Sequence, residues 1–306
     1  MKLDAFNTYS VSVSNDNTVK KINRNGYEEW SFNLPSGSGK SVAIDSKEYI
    51  YVGSSGSKIR KITPDGNEIT TGGWPYGEQY QINCIAIDNK DNIYFGTYKK
   101  LKKIDTDGNE LWLHEESGNT YFNSIVIDTD GYLYTAFSNE VKKIDPSGNK
   151  VTSGGWPFTG HTGVINELSI DSAGYIYTAS EDNTVKKIDP SGNEVTSGGW
   201  PFVRHQYSIY DPSRIHSVSV DNTTGYVYSS GNKGDVKKID INGYELNGNL
   251  NNYYDIVRKV VAKNTNIHNG KQDGKLIKID SNTGMEMWKF TGHSNVINDI
   301  AVFVKY

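Results

Sequence analysis

The stretch TVKKID at 184–189 decides the fold, because near-copies of it recur along the whole chain. The other copies are VKKIN at 19–23, IRKIT at 59–63, LKKID at 101–105, VKKID at 141–145, VKKID at 236–240 and LIKID at 276–280. The shared isoleucine falls at Ile22, Ile62, Ile104, Ile144, Ile188, Ile239 and Ile279, with spacings of 40, 42, 40, 44, 51 and 40 residues. Seven copies at this period are typical of a repeat protein in which each copy is one supersecondary unit.

The repeat at 160–202 shows what that unit is. Residues 164–171 alternate between apolar and polar, and residues 175–180 are rich in Tyr, Ile and Thr, so each segment predicts a strand. Residues 184–189 form the third strand, and the short polar segment 194–197 is expected to form the fourth. Tight-turn residues separate the strands, and no segment has helical periodicity. Four antiparallel strands at this period predict the blade of a β-propeller.

The two ends of the chain complement each other. Residues 7–22 match a repeat from its second strand onward, whereas residues 292–304 match only a first strand. We therefore predict an all-β fold, a seven-bladed β-propeller of four-stranded antiparallel blades in which the N- and C-termini share one blade. Residues 1–306 are expected to form this single propeller domain.

Composition excludes several classes of function. A net charge of −4 over 306 residues provides no basic field for nucleic acid, so no nucleic-acid partner is expected. No apolar run approaches the roughly 18 residues of a membrane helix, and the N-terminal stretch lacks the apolar region of a secretory signal. We expect no membrane insertion. The single cysteine, Cys84, excludes an intrachain disulfide and a cysteine-based metal site. These features fit a cytoplasmic or phage-associated protein without choosing between the two.

The repeat at 160–202 resembles the WD-repeat pattern, in which a Gly-His pair opens the unit and Trp-Asp closes it. Gly160-His161 and the stretch SEDNT at 180–184 carry the resemblance. It implies that His161 hydrogen-bonds Asp182 within one blade, and that His293 bonds Asp16 across the termini. Isoleucine stands where the family has tryptophan in all seven copies.

The chain also resembles quinoprotein-type (PQQ-like) repeats, in which an Asp is followed by Thr-Gly and then by a Trp that docks on the next blade. The stretch IDSNTGMEMW at 279–288 fits this pattern. Six tryptophans recur at one place in the repeat, following the fourth strand: Trp30, Trp74, Trp112, Trp156, Trp200 and Trp288. This recurrence favours packing between blades over stacking on a ligand. Both resemblances imply a propeller, and neither implies an activity.

The lysine before the shared isoleucine is equally constant. In a strand it points away from that isoleucine, and the third strand lies away from the central channel. We therefore favour lysines laid across the adjacent blade over a ring that binds an anion. Their expected partners are carboxylates at the ends of first strands, namely Asp45, Asp88, Asp128, Asp171 and Asp221.

Function is expected where the repeat is irregular, because binding residues usually sit on loops held by a rigid scaffold. The 51-residue spacing reflects an insertion at 203–214. It holds the candidate binding residues His205, Tyr207, Tyr210 and Arg214, which supply contact chemistry. A neutral loop expansion is the alternative interpretation.

A second irregular region precedes Ile279. Residues 251–280 lack the usual turn signature, which predicts irregular inner strands in that blade. The six histidines show no metal-ligand spacing, and no nucleophile or phosphate-loop motif occurs. We predict no catalytic residues, no metal site and no cofactor.

These observations favour a non-enzymatic, monomeric binding scaffold. Its protein or carbohydrate ligand is expected on one loop face, which would carry the GWPF segments, the SED-type turns and residues 203–214. A surface- or receptor-binding propeller of the lectin-like or phage-tail type is one alternative, and the abundance of Asn, Lys, Ile and Tyr points to bacteria or their phages. An enzyme of the quinoprotein or lactonase type is another. Against it stand the absent cysteine pair and the expected absence of acidic residues that depart from the repeat.

Overall fold

The computed structural model describes residues 8–203, 214–232, 234–246, 250 and 255–304. Within these ranges the regular elements are all β-strands. In chain order they are β1 (Thr8–Ser14), β2 (Thr18–Asn23), β3 (Glu28–Asn33), β4 (Gly39–Ile44), β5 (Ile50–Ser54), β6 (Lys58–Ile62), β7 (Tyr76–Gly77), β8 (Cys84–Ile87), β9 (Ile93–Gly96), β10 (Lys100–Ile104), β11 (Glu110–Glu115), β12 (Phe122–Ile127), β13 (Leu133–Phe137), β14 (Glu140–Ile144), β15 (Lys150–Val151), β16 (Ile165–Ile170), β17 (Ile176–Ser180), β18 (Thr184–Ile188), β19 (Phe202–Val203), β20 (Ile215–Val220), β21 (Val227–Gly231), β22 (Val236–Ile239), β23 (Val257–Lys263), β24 (Asn266–Lys271), β25 (Leu276–Asp280), β26 (Glu286–Phe290) and β27 (Ile297–Val304).

The strands form seven antiparallel sheets, which confirms the seven-bladed propeller. In order from the innermost strand outward, the sheets are β27-β1-β2-β3, β4-β5-β6-β7, β8-β9-β10-β11, β12-β13-β14-β15, β16-β17-β18-β19, β20-β21-β22 and β23-β24-β25-β26. In the sixth blade an isolated bridge between Ile239 and Glu245 stands where a fourth strand would pair.

The termini share one blade, as predicted. Strand β1 pairs with β2 on one side and with β27 on the other, so that Val11 faces Lys21 and Ala301. The seven innermost strands contact one another in the closed order β4, β8, β12, β16, β20, β23, β27 and back to β4. Pairing the last strand with the first therefore completes the ring and leaves no open inner edge.

The repeated third strand explains why blades stack. In β14, Val141 and Ile144 are three residues apart and so point to opposite faces of the sheet. Both are fully buried. Each sheet is therefore apolar on two faces and is covered by a neighbouring blade on each. Burying such a side chain contributes about 1.5–3 kcal/mol, and the pattern repeats around the ring.

At three junctions between described blades, one carbonyl in the third-to-fourth strand turn of the neighbouring blade receives two donors. Trp200 Nε1 donates to the Ile241 carbonyl over 3.1 Å, and Lys187 Nζ approaches the same oxygen at 3.4 Å. The Lys187 ammonium also lies 4.4 Å from the centre of the Tyr175 ring. The Pro64 carbonyl receives Lys21 and Trp30 in the same way. This confirms that the tryptophans pack between blades.

The expected lysine–carboxylate pairing is wrong for most blades. Among the described residues, the first-strand carboxylate within ion-pair distance of such a lysine is Asp88, whose Oδ2 lies 3.9 Å from Lys103 Nζ. These aspartates are held by their own turns instead. Asp171, for example, accepts hydrogen bonds from the Tyr175 backbone N–H at 2.9 Å and from the Tyr177 hydroxyl at 3.0 Å. The carboxylates are therefore occupied within their own blade.

The predicted fourth strand at 194–197 is also wrong. Glu194 forms an isolated bridge with Ile188, and regular pairing resumes only at β19, where Phe202 faces Val185. Between them the chain leaves the sheet so that Trp200 can reach the next blade. In some other blades the chain does not leave the sheet in this way. The blade ending in β11, for example, has an uninterrupted fourth strand that contains Trp112.

The inner strands of the blade before Ile279 are regular, in contrast to the prediction. Strands β23 and β24 pair from Val257↔Lys271 to Lys263↔Asn266, with one register shift like those of other blades. The usual turn signature is replaced by Asn264 and Thr265, both at positive φ, so a different pair of residues makes an equivalent tight turn.

Gly192→Ala should cost more stability than Gly174→Ala. Both glycines lie in turns of the same blade at positive φ, 95° and 83°, where a side chain costs about 1–2 kcal/mol. An added Cβ at Gly192 would also lie 2.7 Å from the Gly155 carbonyl carbon, whereas at Gly174 the nearest atom is Pro190 Cγ at 3.5 Å. We expect a loss of about 3 kcal/mol or more for Gly192→Ala by urea denaturation. Equal losses in the two variants would contradict the close approach of the blades.

The buried His268 should make stability depend on pH. It is 1 % exposed, its Nδ1 lies 3.0 Å from Ser10 Oγ in the terminal blade, and burial lowers its pKa to about 3. The unfolded chain binds this proton near pH 6.5, so the free energy of unfolding should fall as pH decreases from about 6.5 toward about 3. The difference between wild type and His268→Asn should shrink over that range in urea titrations. A difference independent of pH would exclude a buried neutral imidazole.

Candidate binding face and central channel

One end of the ring carries the turns between second and third strands together with the connections between blades. We call this end the loop face. The expectation that the GWPF tryptophans lie on it is wrong. Trp200 contacts the turn after β22, which lies at the opposite end of the third strands. The SED-type turns and the start of the 203–214 insertion do lie on the loop face.

The candidate residues of the insertion are mostly outside the described residues, namely His205, Tyr207 and Tyr210. Arg214 is described, and its side chain is 50 % exposed. Arg214 Nη1 donates to Glu181 Oε1 over 3.1 Å, which ties the end of the insertion to the SED-type turn of the preceding blade. Binding by the insertion stays a prediction.

Two histidine-centred networks lie below the loop face. His161 Nδ1 lies 2.7 Å from Asp182 Oδ2, and its Nε2 lies 2.6 Å from Thr178 Oγ1. Asp182 also accepts from the Thr184 hydroxyl at 2.6 Å. Burial opposes the charge on Asp182, but hydrogen bonds from His161 and Thr184 hold the pKa of its carboxyl well below the usual range. The network fixes the turn at 181–183.

The second network joins the two ends of the chain. His293 Nδ1 lies 3.0 Å from Asp16 Oδ2, and its Nε2 lies 2.8 Å from Ser12 Oγ. Burial lowers the pKa of His293, although Asp16 acts in the opposite direction. In both networks, each ring nitrogen of the histidine has a partner within the same blade. These histidines therefore stabilise the fold and have no ring nitrogen left to bind a ligand.

A cavity of about 340 Å³ occupies the central channel and is lined by all seven innermost strands. Near the loop face, six of these strands have a register shift that leaves one residue without a cross-strand partner. Such a β-bulge turns the extra side chain out of the regular alternation. The equivalent residue in the blade of β8 is Asn83, which directly precedes that strand. We call these seven side chains the bulge ring: Lys40, Asn83, Asn123, Asn166, His216, Arg258 and Asn298.

Asparagines of the bulge ring hold neighbouring blades together. Asn123 Nδ2 donates to the Ile165 carbonyl at 3.1 Å, and Asn166 Nδ2 donates to the Ile215 carbonyl at 2.8 Å. Asn298 makes the equivalent bond to Gly39 across the closure of the ring. The other ring members break the asparagine pattern with basic side chains.

A second layer of channel side chains lies one residue further along each strand. Four are small, namely Ser41, Cys84, Ser124 and Ser217, while Glu167, Lys259 and Asp299 form an ion cluster. Lys259 Nζ contacts Glu167 Oε1 and lies 2.9 Å from Asp299 Oδ1. This corrects the expectation that no acidic residues depart from the repeat.

All four carboxylate oxygens of this cluster are occupied. Glu167 Oε2 accepts from Ser217 and from the Val218 backbone N–H. Asp299 Oδ2 accepts from Ser41 Oγ at 2.8 Å and from Val42 N at 2.9 Å, and its Oδ1 accepts from Ile300 N. Burial raises the pKa of Glu167, and Asp299 and Glu167 together raise the pKa of Lys259 against the effect of its burial. The cluster therefore joins five blades and presents no carboxylate poised as a general base.

A tyrosine cluster lies on the loop face. The rings of Tyr80 and Tyr98 are 5.0 Å apart, and those of Tyr98 and Tyr121 are 5.2 Å apart. All three are half-buried, and Lys99 Nζ lies 5.2 Å from the Tyr98 ring centre. The other tight turns between second and third strands contain no tyrosine, whereas the between-blade connections at 203–214 and 251–254 do. The cluster was missed from sequence because its members come from two between-blade connections and one tight turn.

The comparisons with known proteins agree with this geometry. A family model described as "WD domain, G-beta repeat" matches residues 156–189, which contain the His161–Asp182 network. The chain is a seven-bladed β-propeller in which residues 156–189 are similar to a WD repeat. The crystal structure of the computationally designed Ika8 protein superposes on this propeller with a TM-score of 0.68 at 17 % identity, covering 95 % of this chain and 86 % of that one. This likeness shows the fold alone. The comparison with curated proteins gives no match.

Two further features of the propeller bear on its site. Within the described ranges, no group of three or more His, Cys, Asp or Glu side chains is arranged to hold a metal ion. The same part of the chain contains no helix long and apolar enough to cross a bilayer. The resemblance to PQQ-like repeats stays a prediction.

Lys259→Met should be strongly destabilising. It leaves Glu167 and Asp299 in the channel without a cation, a situation that costs about 3–5 kcal/mol. The matched control replaces Glu167, Lys259 and Asp299 together by serine, the residue that several other blades carry in this layer. This triple variant should be more stable than Lys259→Met in urea denaturation. A Lys259→Met protein as stable as wild type would show that the ion cluster contributes nothing.

Proposed function

We propose that this propeller is a non-enzymatic binding scaffold that holds a partner protein on its loop face. The observation that supports this most directly is the tyrosine cluster of Tyr80, Tyr98 and Tyr121. It breaks the repeat, since no other tight turn between second and third strands carries a tyrosine. Tyrosine is enriched at protein interfaces because one side chain combines a large apolar surface with a hydrogen-bonding hydroxyl.

The WD-repeat-like fold supports the same proposal at a coarser level, because such a propeller suggests a protein-interaction scaffold. The fold alone does not select a ligand, since 1678 solved chains match it. The residues that distinguish this chain must therefore carry the specificity. The insertion at 203–214 borders the same face, and we propose that His205, Tyr207, Tyr210 and Arg214 extend the contact surface.

Carbohydrate binding is a second candidate, favoured by one observation. A polar cleft of about 530 Å³ adjoins the tyrosine cluster and is lined by Asn119, Asn139, Glu116 and Lys142. Tyr98 Oη donates to Asn119 Oδ1 at 3.3 Å, so cluster and cleft are continuous. Aromatic faces beside amide and carboxylate groups suit a sugar. A receptor-binding propeller of bacterial or phage origin would use such a surface.

Tyr98→Ala should abolish partner binding. It removes the central ring of the cluster, and loss of such an anchor typically weakens an interface by about 2 kcal/mol or more. Wild type, Tyr98→Ala and Tyr27→Ala would be used as baits in quantitative pull-downs. Tyr27 is 71 % exposed at a turn on the opposite face, so it controls for loss of any surface tyrosine.

A protein retained by wild type and Tyr27→Ala but lost with Tyr98→Ala would support the scaffold. A glycan array probed with the same three proteins tests the second candidate. Glycan binding that disappears only with Tyr98→Ala would favour the receptor-binding function. Partners that depend equally on both tyrosines, or on neither, would rule out the loop-face cluster as the contact site.

A further inference from the structure

Every departure from asparagine in the bulge ring introduces a basic side chain. The three basic side chains are Lys40, His216 and Arg258. They come from three different blades, and all three line the cavity of about 340 Å³ in the channel. In sequence they are far apart, and only the closed ring brings them to one opening. No carboxylate stands in the bulge ring itself. The mouth of the channel on the loop face therefore carries two cationic side chains and an imidazole, and Asp255 is the carboxylate that acts electrostatically on Arg258.

Lys40 is half-buried in this mouth without a recorded hydrogen bond or ion pair to any described residue. Burial lowers the pKa of its ammonium group. A cation held partly out of water without a counter-charge costs free energy, which a bound anion would recover. The equivalent asparagines make bonds to the next blade, so lysine at this position gives up a structural contact.

Arg258 is oriented for recognition. Gln272 Oε1 accepts hydrogen bonds from its Nε at 3.2 Å and its Nη2 at 2.8 Å, which fixes one edge of the guanidinium. Its Nη1 lies 3.3 Å from His216 Nε2, so the two basic groups sit side by side. A planar guanidinium held by one edge can donate from the other to two oxygens of an anion.

The carboxylates deeper in the channel do not neutralise this charge. Glu167 and Asp299 contact Lys259, and their remaining lone pairs accept from serine hydroxyls and backbone N–H groups. The second layer thus forms a polar floor that is internally compensated. Lys40, His216 and Arg258 line the open cavity above it, and His216 Nε2 also lies 2.5 Å from Asn232 Oδ1.

We propose that the mouth of the channel binds a small organic anion with a phosphate head group. Arg258 supplies directional donors, Lys40 supplies a point charge, and His216 supplies a further polar group beside Arg258. A cavity of about 340 Å³ is at the lower end of the range for small-molecule sites, which suits a phosphomonoester rather than a nucleotide or a polymer. This site goes beyond partner docking by the tyrosine cluster and does not depend on it.

Isothermal titration calorimetry with inorganic phosphate and with glycerol 3-phosphate tests the proposal. The full chain is expected to bind one glycerol 3-phosphate, and more weakly one phosphate, while neutral glycerol produces no binding heat. Lys40→Asn and Arg258→Asn install the residue that other blades carry at the same bulge, so both variants should keep the fold. Each should weaken binding by at least about tenfold.

Lys47→Asn is the matched control. It removes one exposed lysine from a turn on the opposite face and changes net charge equally. Its affinity should equal that of wild type. Phosphate also stabilises proteins by exclusion from their surfaces, so thermal shifts are compared at equal ionic strength across all four proteins. A shift lost only in the two channel variants supports the site.

Two results would overturn the proposal. One is the absence of binding heat for wild type with either anion at millimolar concentration. The other is equal affinity in wild type, Lys40→Asn and Arg258→Asn, which would identify any bound phosphate as an adventitious ion only. Urea midpoints for each variant separate loss of binding from loss of folding, and Lys40→Gln provides a second substitution if Lys40→Asn is destabilised.

Discussion

Each blade depends on its neighbours, because its sheet is apolar on both faces and its outer turn accepts side chains from the blade before it. The Pro64 carbonyl illustrates the second point, since it receives both Trp30 Nε1 and Lys21 Nζ from the preceding blade. Lys21 Nζ also lies 3.2 Å from Glu29 Oε2 in its own sheet, so the carbonyl of the next blade is one of two partners of this lysine. A blade in isolation would expose two apolar faces to water. The ring must close for any blade to be stable, and pairing of β27 with β1 provides that closure.

Much of this architecture was predictable from sequence because it is periodic. The spacing of the shared isoleucine and the complementary ends define the blade number and the shared blade. The fourth strands were less predictable. At 194–197 the residues suit a strand, but docking of Trp200 on the next blade draws the chain out of the sheet, and this tertiary contact outweighs local propensity. Lysine partners were mispredicted for a similar reason, since the aspartates are already occupied by the hydroxyl of a tyrosine and by turn N–H groups.

The site was less predictable than the fold, because its residues do not form a sequence motif. Lys40, His216 and Arg258 lie on three blades, and only the register of the first strands shows that they are equivalent. An alignment of the seven first strands was the available signal. It would have shown asparagine at four of the seven bulge positions, and serine as the most common residue at the position that follows the bulge. Glu167, Lys259 and Asp299 then stand out as charged replacements of a small side chain. The longest insertion was followed instead, which placed the candidate residues at 203–214.

The bulges have a consequence for how such a protein can diversify. A bulged residue has no cross-strand partner, so the pairing of strands within its blade does not depend on which side chain it carries. Lysine, histidine, arginine and asparagine all occupy this position on first strands of nearly the same geometry. The channel mouth is therefore a set of sites that can mutate one at a time without disturbing strand pairing, and each replacement of asparagine gives up only one hydrogen bond to the next blade.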